Sequence, residues 1–382
     1  MQVIVTDCHR RLTPALIREL AARGHEVTAV SEAGRSAPGL HTRGTARAIR
    51  LPASLSESAY AEALLDLCAA QGKPVLLPAG GRTVMALSHR REAFAPLARF
   101  LASEPGVPER VGDKLTVSRL AASLGIPVPE PIPFDEAERI DQLAERLPYP
   151  VVLRYRDGER LGLSSDRRST VAGNPRAFVR RYNVMHDVQP PVLLQAYVPG
   201  RSRCVSALMD GDGRAAAVFC FEFIQDDPTT GGTFSTCRSD WFPVLAERTV
   251  RLLSALSFTG FATAAFKGDA EEDARLLDLT PRLWDSYPLS CLSGAGLAEA
   301  YVRAVLGAEA PLRTTCRYRC GVRTQYFFDD AGAALRCLRH GRADLAFHAA
   351  ADMFAPEVKG CVLSPKDLRG SLYYLLHPAS SR

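Results

Sequence analysis

The chain has no apolar run approaching the roughly 18 residues that a membrane-spanning helix needs. A helical membrane protein is therefore not expected. Its start, MQVIVTDCHRR, holds only a few apolar residues before an acid, so no secretory leader is expected. The ten cysteines include no Cys-x-x-Cys pair, and Cys316 and Cys320 in CRYRC are the closest in spacing. A zinc site there would need two further ligands, and no partner pair of suitable spacing is visible. Buried free thiols in a cytoplasmic protein are the simplest expectation. No Gly-x-Gly-x-x-Gly fingerprint occurs, so a dinucleotide is not indicated. Arginines are scattered rather than gathered in a basic run with interleaved aromatics, which argues against a nucleic-acid partner. No internal repeat is visible, and no catalytic Ser, Cys or His is conspicuous.

What is present points to a soluble multidomain protein. The 382 residues exceed one compact core, so two or three domains are expected. The formal net charge of +5 is mild for this length and suits an anionic small molecule.

The first hundred residues alternate strand-like and helix-like runs. QVIVTD (2–7), TPALIRELAARG (13–24), HEVTAVS (25–31), the capping-box segment SLSESAYAEALLDLCAAQG (54–72) and PVLLPAGG (74–81) read as a small parallel α/β unit. Its loops TDCHR and PAGG lie where such sheets place ligands. Cys8 and His9 are either a nucleophilic pair or ordinary loop residues, and the loop reading is preferred. SEPGVPERVGDK (103–114) reads as a linker, followed by a helix to about Leu124 and a Pro-rich extended stretch. A helix over 135–150, the strand PVVLRYRDG (150–158), a helix over 174–186 and the strand PPVLLQAYVPG (190–200) come next. A hairpin turning on Asp-Gly-Asp-Gly (204–225), a TTGG loop and a helix over 245–260 lead to the strands FATAAFKGD (261–269) and ARLLDLTPR (274–282). In the last, Asp278, Thr280 and Arg282 alternate and so share a face. That face either holds a metal and a phosphate, or Asp278 simply pairs with Arg282.

Five pieces taken in order, DKLTVSRLAASLGIPVPEP, YPVVLRYRDG, LLQAYVPG, GFATAAFKGD and LLDLTPRLWDS, resemble an ATP-grasp ligase of the carboxylate–amine or carbamoyl-phosphate-synthase-large-subunit kind. The likeness covers about residues 107 to 300. It implies an α/β and α+β multidomain fold. A Rossmann-like pre-ATP-grasp domain (1–106) would precede a two-lobed ATP-grasp domain (107–310, small lobe about 113–190, large lobe about 191–310) and a C-terminal extension (311–382).

The resemblance further implies ATP and Mg²⁺ as cofactors. Lys114 and Arg154 would meet phosphates, and Arg154 stands where the family carries lysine. The edge strand with Gln195, Ala196, Tyr197 and Val198 would hold the adenine and ribose, although Ala196 replaces the family's acid. Asp278 and Thr280 would hold the metal in place of Glu and Asn, while Ala265 stands at the family's first Glu. Arg282 would steady the acyl phosphate, and Lys267 would supply cation charge beside Ala265. Glu222 and Asp285 are stand-ins by region for the missing carboxylate. The activity implied is activation of a small carboxylate for attack by an amine. The alternative is a catalytically degenerate nucleotide- or metabolite-binding member. Partners are then small molecules, with no nucleic acid or membrane, and a homodimer is compatible.

Overall fold

The computed structural model describes residues 1–135, 138–158, 161, 163, 168–189, 193–227, 232–307, 316–364 and 366–377. The alternation at the start builds a four-stranded sheet of β1 (Gln2–Val5), β2 (Glu26–Glu32), β3 (Thr45–Leu51) and β4 (Val75–Leu77), in the order β3-β2-β1-β4. All three pairings are parallel. Buried, nearly continuous apolar strands such as VIV and VLL are what a parallel sheet covered on both faces requires.

A second sheet pairs β5 (Val151–Arg154) antiparallel with β6 (Ser169–Ala172) and β7 (Leu193–Ala196). It has a core of its own, in which Val151, Leu153 and Leu194 meet Phe178 and Met185 of the helix Pro175–Val188 and Leu143 of the helix Ile140–Arg146. That last helix is shorter than the 135–150 expected from sequence. The stretch read as a linker contains a helix, Val107–Gly112, with Pro108 in its first turn. Pro is tolerated there because the first N–H groups of a helix have no partner within it.

The remaining strands are β8 (Arg201–Met209), β9 (Ala215–Phe223), the short pair β10 (Asp226–Asp227) and β11 (Gly232–Thr233), β12 (Cys237–Asp240), β13 (Gly260–Gly268), β14 (Arg275–Thr280), β15 (Arg323–Gln325) and β16 (Val358–Gly360). Apart from β10 and β11, they form one sheet in the order β14-β13-β8-β9-β12-β15-β16. One face carries Val205, Ala207, Ala262, Ala264 and Phe266 against the helix Pro243–Ala255 and the helix Lys114–Ser123. The other face carries Cys204, Leu208, Phe219 and Phe221 in a single apolar cluster with Val3, Leu16 and Leu77 of the first unit. The first sheet and the large sheet thus share a core. Tyr301 pins the two: its hydroxyl donates to Leu76 O at 2.8 Å and accepts from Leu101 N at 3.0 Å, while its ring stacks on Phe261.

Gly200 turns the chain from β7 into β8 with φ of +100°, and a Cβ there would lie 2.5 Å from the carbonyl carbon of Gly268. Both the backbone conformation and the contact demand glycine. We expect Gly200→Ala to lower stability by about 2 kcal/mol or more, read as an earlier midpoint in urea. Gly211→Ala, where a Cβ meets nothing within 4 Å, should leave that midpoint nearly unchanged.

Candidate functional site

Asp caps helices because its carboxylate can take the unpaired N–H groups of the first turn. Asp113 does so, accepting from Leu115 N at 3.0 Å and Thr116 N at 3.3 Å. The same carboxylate receives Arg156 Nε at 2.9 Å and Nη2 at 2.5 Å, and Lys114 N donates to Arg156 O at 3.1 Å. Burial raises the Asp113 carboxyl, but the Arg156 and Thr116 bonds outweigh it and hold it below the usual carboxylate range. The start of the Lys114 helix is thereby fastened to the residues that follow β5.

Arg154 ends β5 and is nine-tenths buried. Its Nη1 donates to Leu277 O, and its Nη2 lies 3.8 Å from Asp278 Oδ2. Lys114 Nζ reaches Asp278 Oδ1 at 3.0 Å. A bulge explains the geometry. Asp278 pairs with Ala265 and Leu276 with Phe266, so Leu277 is an extra residue in β14. An extra residue leaves the ladder, and Arg154 takes its carbonyl. Burial pushes the Asp278 carboxyl up, but Lys114, Arg154 and then Arg168 prevail, leaving it below its ordinary range. Burial likewise pulls the Arg154 guanidinium below its ordinary range against the pull of Asp278. A helix, the small sheet and the large sheet therefore each send one charged group to a common point.

The other residues singled out by sequence fall into three places. Thr280 is buried opposite Thr263, whose hydroxyl meets Ser206 Oγ at 3.0 Å and Arg282 O at 3.1 Å. Asp278 takes its cations from other elements, while Arg282 lies past the strand end and adds its charge to those acting on Asp285. Lys267 shares the Ala265 face of β13 but sits two residues farther along. Its ammonium is bonded to Asp226 at 2.6 Å and lies 5.4 Å from the Tyr197 ring centre. It therefore stands beside the 195–198 segment, where Ser202 Oγ also donates to Asp226 at 3.1 Å.

Gln195 and Val198 are buried, while Ala196 and Tyr197 are more open. The strand β7 is not a free edge. It pairs with β5 on one side, and on the other Ala196 N donates to Glu130 O at 2.9 Å and Ile132 N donates to Leu194 O at 3.0 Å. Tyr197 and Val198 lie beyond the paired stretch.

Glu222 does not reach this face. By alternation it lies on the opposite side of the sheet from Phe221 and Phe223, and it is paired with Arg238. Asp285 is engaged by Arg10 and Arg11, each at 3.2 Å. Cys8 is fully buried, its thiol donating to Val5 O at 3.2 Å, and burial pushes its pKa far up; it is no nucleophile. Seven cysteines are buried as expected, but Cys320 is exposed, its sulfur 3.6 Å from that of Cys316. Thr229, Thr230 and Gly231 of the TTGG loop, and Arg160, lie outside the described residues.

A divalent metal does not fit the residues at this point. Magnesium takes hard oxygen ligands, with at least one carboxylate free to coordinate. Asp278 has both oxygens directed to cations, Ala265 opposite supplies nothing, and Asp113 is taken by Arg156. No group of three or more His, Cys, Asp or Glu able to hold a metal occurs among the described residues. Sequence reasoning missed Asp113, Arg156, Arg168 and Asp226. Asp113 had a readable signal, an acid directly before a helix start. The others meet their partners only through the tertiary fold.

No protein-family profile matches the chain. Over 249 residues, 63% of the chain, it is 25% identical to the carbamoyl phosphate synthase large chain of Pyrococcus furiosus, of which it covers 22%. Over 257 residues it is 27% identical to the C-terminal section of the Methanopyrus kandleri large chain, covering 62% of the chain and 44% of that protein. The chain thus spans less than half the length of these relatives. Among solved structures, it resembles the biotin carboxylase domain of Hydrogenobacter thermophilus 2-oxoglutarate carboxylase, solved with MgADP, ADP and bicarbonate. The TM-score is 0.64 at 15% identity, over 84% of this chain and 73% of that one. It also resembles the Staphylococcus aureus N5-carboxyaminoimidazole synthetase complexed with ADP, with a TM-score of 0.62 at 15% identity over 81% and 78%. At these identities the structural likeness is one of fold.

Proposed function

We propose that this chain, which belongs to the ATP-grasp superfamily, binds the polyphosphate of ATP between its β5–β7 sheet and its seven-stranded sheet, and activates a small carboxylate for an amine. The observation that carries the reading is the convergence of Lys114, Arg154 and Asp278 from three separate elements. The division expected from sequence goes with it: residues 1–106 in front, 107–310 as the two lobes, and 311–382 packed behind.

In this reading Tyr197 and Val198 offer backbone groups to the base, with Gln195 and Ala196 behind them and the Lys267–Asp226 pair alongside. Lys114 and Arg154 neutralise phosphate oxygens. A substrate carboxylate oxygen attacks the γ-phosphorus, the bond to the bridging oxygen breaks, and ADP leaves. An amine nitrogen then attacks the acyl carbon, the C–O bond to phosphate breaks, and the nitrogen gives up its proton. Such chemistry is chiefly positioning and charge neutralisation. In this reading Arg282, beyond the end of β14, steadies the acyl phosphate.

A second reading, a nucleotide-binding member without turnover, is favoured by one observation: Ala265 stands opposite Asp278, so that cross-strand pair carries a single acid. Melting and phosphate release separate the two. Under the ligase reading, ATP raises the melting temperature and a panel of small carboxylates with ammonia or amino acids includes a pair that releases phosphate. A nucleotide shift with no phosphate release across the panel favours the second reading. A melting temperature indifferent to ATP, ADP and tripolyphosphate overturns both.

A further inference from the structure

The charge at the Lys114–Arg154–Asp278 point has the wrong sign for a divalent cation. Lys114, Arg154 and Arg168 all act on the one carboxylate of Asp278. Arginine keeps its proton throughout the accessible range. Lys114 and Arg154 thus share one carboxylate, and a metal ion entering the cluster would be repelled by both while competing with them for that acid. A polyphosphate meets the opposite field. A second observation points the same way. Arg154 is nine-tenths buried, yet its Nε has no hydrogen-bond partner among the described residues. Buried donors are normally satisfied, so this guanidinium has a donor left over for a further oxygen.

We propose that this cluster binds the polyphosphate of a nucleoside di- or triphosphate without a divalent metal ion, and that Asp278 is the counter-ion the phosphate displaces. This rests on the nucleotide reading above and sharpens it. Asp278 holds the Lys114 ammonium at 3.0 Å and the Arg154 guanidinium at 3.8 Å, so both cations stay in place rather than swing into solvent. A phosphate offers them more charge and more acceptor oxygens than one carboxylate does, and charge-assisted bonds of this kind are the strong ones. Arg168 is anchored by its Nε to Leu163 O at 2.8 Å and adds its charge to the same point. Asp278 then acts as an internal competitor of the ligand rather than as a metal ligand.

The two roles give opposite signs for one substitution. Calorimetric titration of the full chain with ADP, ATP and inorganic tripolyphosphate, in EDTA and in excess Mg²⁺, is the test. The expected dissociation constants in EDTA lie within about threefold of those in Mg²⁺, and Asp278→Asn binds as tightly as the wild type or up to about tenfold tighter in EDTA. Arg154→Gln should weaken binding by about tenfold or more in both buffers, which ties the signal to this cluster. Binding that requires Mg²⁺ and is lost in Asp278→Asn overturns the proposal while leaving the nucleotide reading intact. A folded Asp278→Asn that binds tenfold more weakly in EDTA overturns the counter-ion role. Absence of binding in both buffers overturns the proposal and the nucleotide reading together. The comparison of buffers uses the wild-type chain, so the metal question does not depend on a variant that folds.

Discussion

With Lys114 and Arg154 both changed to glutamine, ATP is expected no longer to raise the melting temperature of the chain. In the wild type, nucleotide at about one hundred times its dissociation constant stabilises by about 2.7 kcal/mol. Each charge-assisted hydrogen bond to phosphate is worth about 1.5–3 kcal/mol. Losing both therefore weakens binding by roughly 10²- to 10⁴-fold, enough to erase the shift at the same concentration. Differential scanning fluorimetry over a range of ATP concentrations measures it. The double change also strips Asp278 of two of its counter-charges, and a carboxylate left without them is destabilising in proportion to its burial. The nucleotide-free variant should therefore melt below the wild type. Adding Asp278→Asn should recover part of that loss without restoring the response to ATP. A double variant that still shifts by the wild-type amount would place the nucleotide elsewhere.

The parts of this fold that could be read from the sequence are those held by local periodicity. The parallel alternation of the first hundred residues and the Asp-Gly-Asp-Gly hairpin between β8 and β9 are of this kind. The same holds for β13 and β14 across their acidic turn. Strands β15 and β16 are three residues each and carry no period to read. They exist because β12, more than eighty residues earlier, presents a paired edge to β15. The strand β7 looked like an edge because nothing local shows that the Pro-rich stretch at Glu130–Ile132 returns to cover it.

The site follows the same division. Lys114, Arg154 and Asp278 can each be picked out along the chain, but their ion pairs join residues 164 and 124 positions apart. The bulge that hands Leu277 O to Arg154 depends on the register between two strands. Asp285 attracted notice only by its region, and nothing near it in sequence announces that Arg10 and Arg11 will close on it.

Removing that carboxylate is expected to be the most damaging single change at the junction of the first unit with the large sheet. Asp285 is held at 3.2 Å by both Arg10 and Arg11, from the loop after β1, while Arg11 also pairs with Asp329 and lies 3.9 Å over the Tyr326 ring. Asp285→Ala leaves Arg10, Arg11 and Arg282 without their shared anion. Breaking such a pair costs about 3 kcal/mol at the lower end of the range for buried charges, and the Asp285 side chain is 30% exposed, so the lower end applies. At about 2–4 °C per kcal/mol for domains of 150–250 residues, the melting temperature should fall by several degrees at pH 7.

The sign of the pH dependence follows from the direction of the shift. Burial raises the Asp285 carboxyl, but Arg10, Arg11 and Arg282 outweigh it and bring it from 3.8 to about 2. A carboxyl depressed in the folded state stabilises fully above its unfolded pKa, and that contribution is lost as pH falls toward the folded value. The gap between wild type and Asp285→Ala should therefore be constant from pH 7 to about 5, begin to shrink near pH 4, and be largely closed near pH 2. Urea titrations across that range test it. A gap that stayed the same down to pH 3 would mean that the charge of Asp285 does not hold Arg10 and Arg11. The bond from the Tyr326 hydroxyl to the backbone carbonyl of Asp285, 2.6 Å long and untouched by the substitution, would then be the contact that ties the junction together.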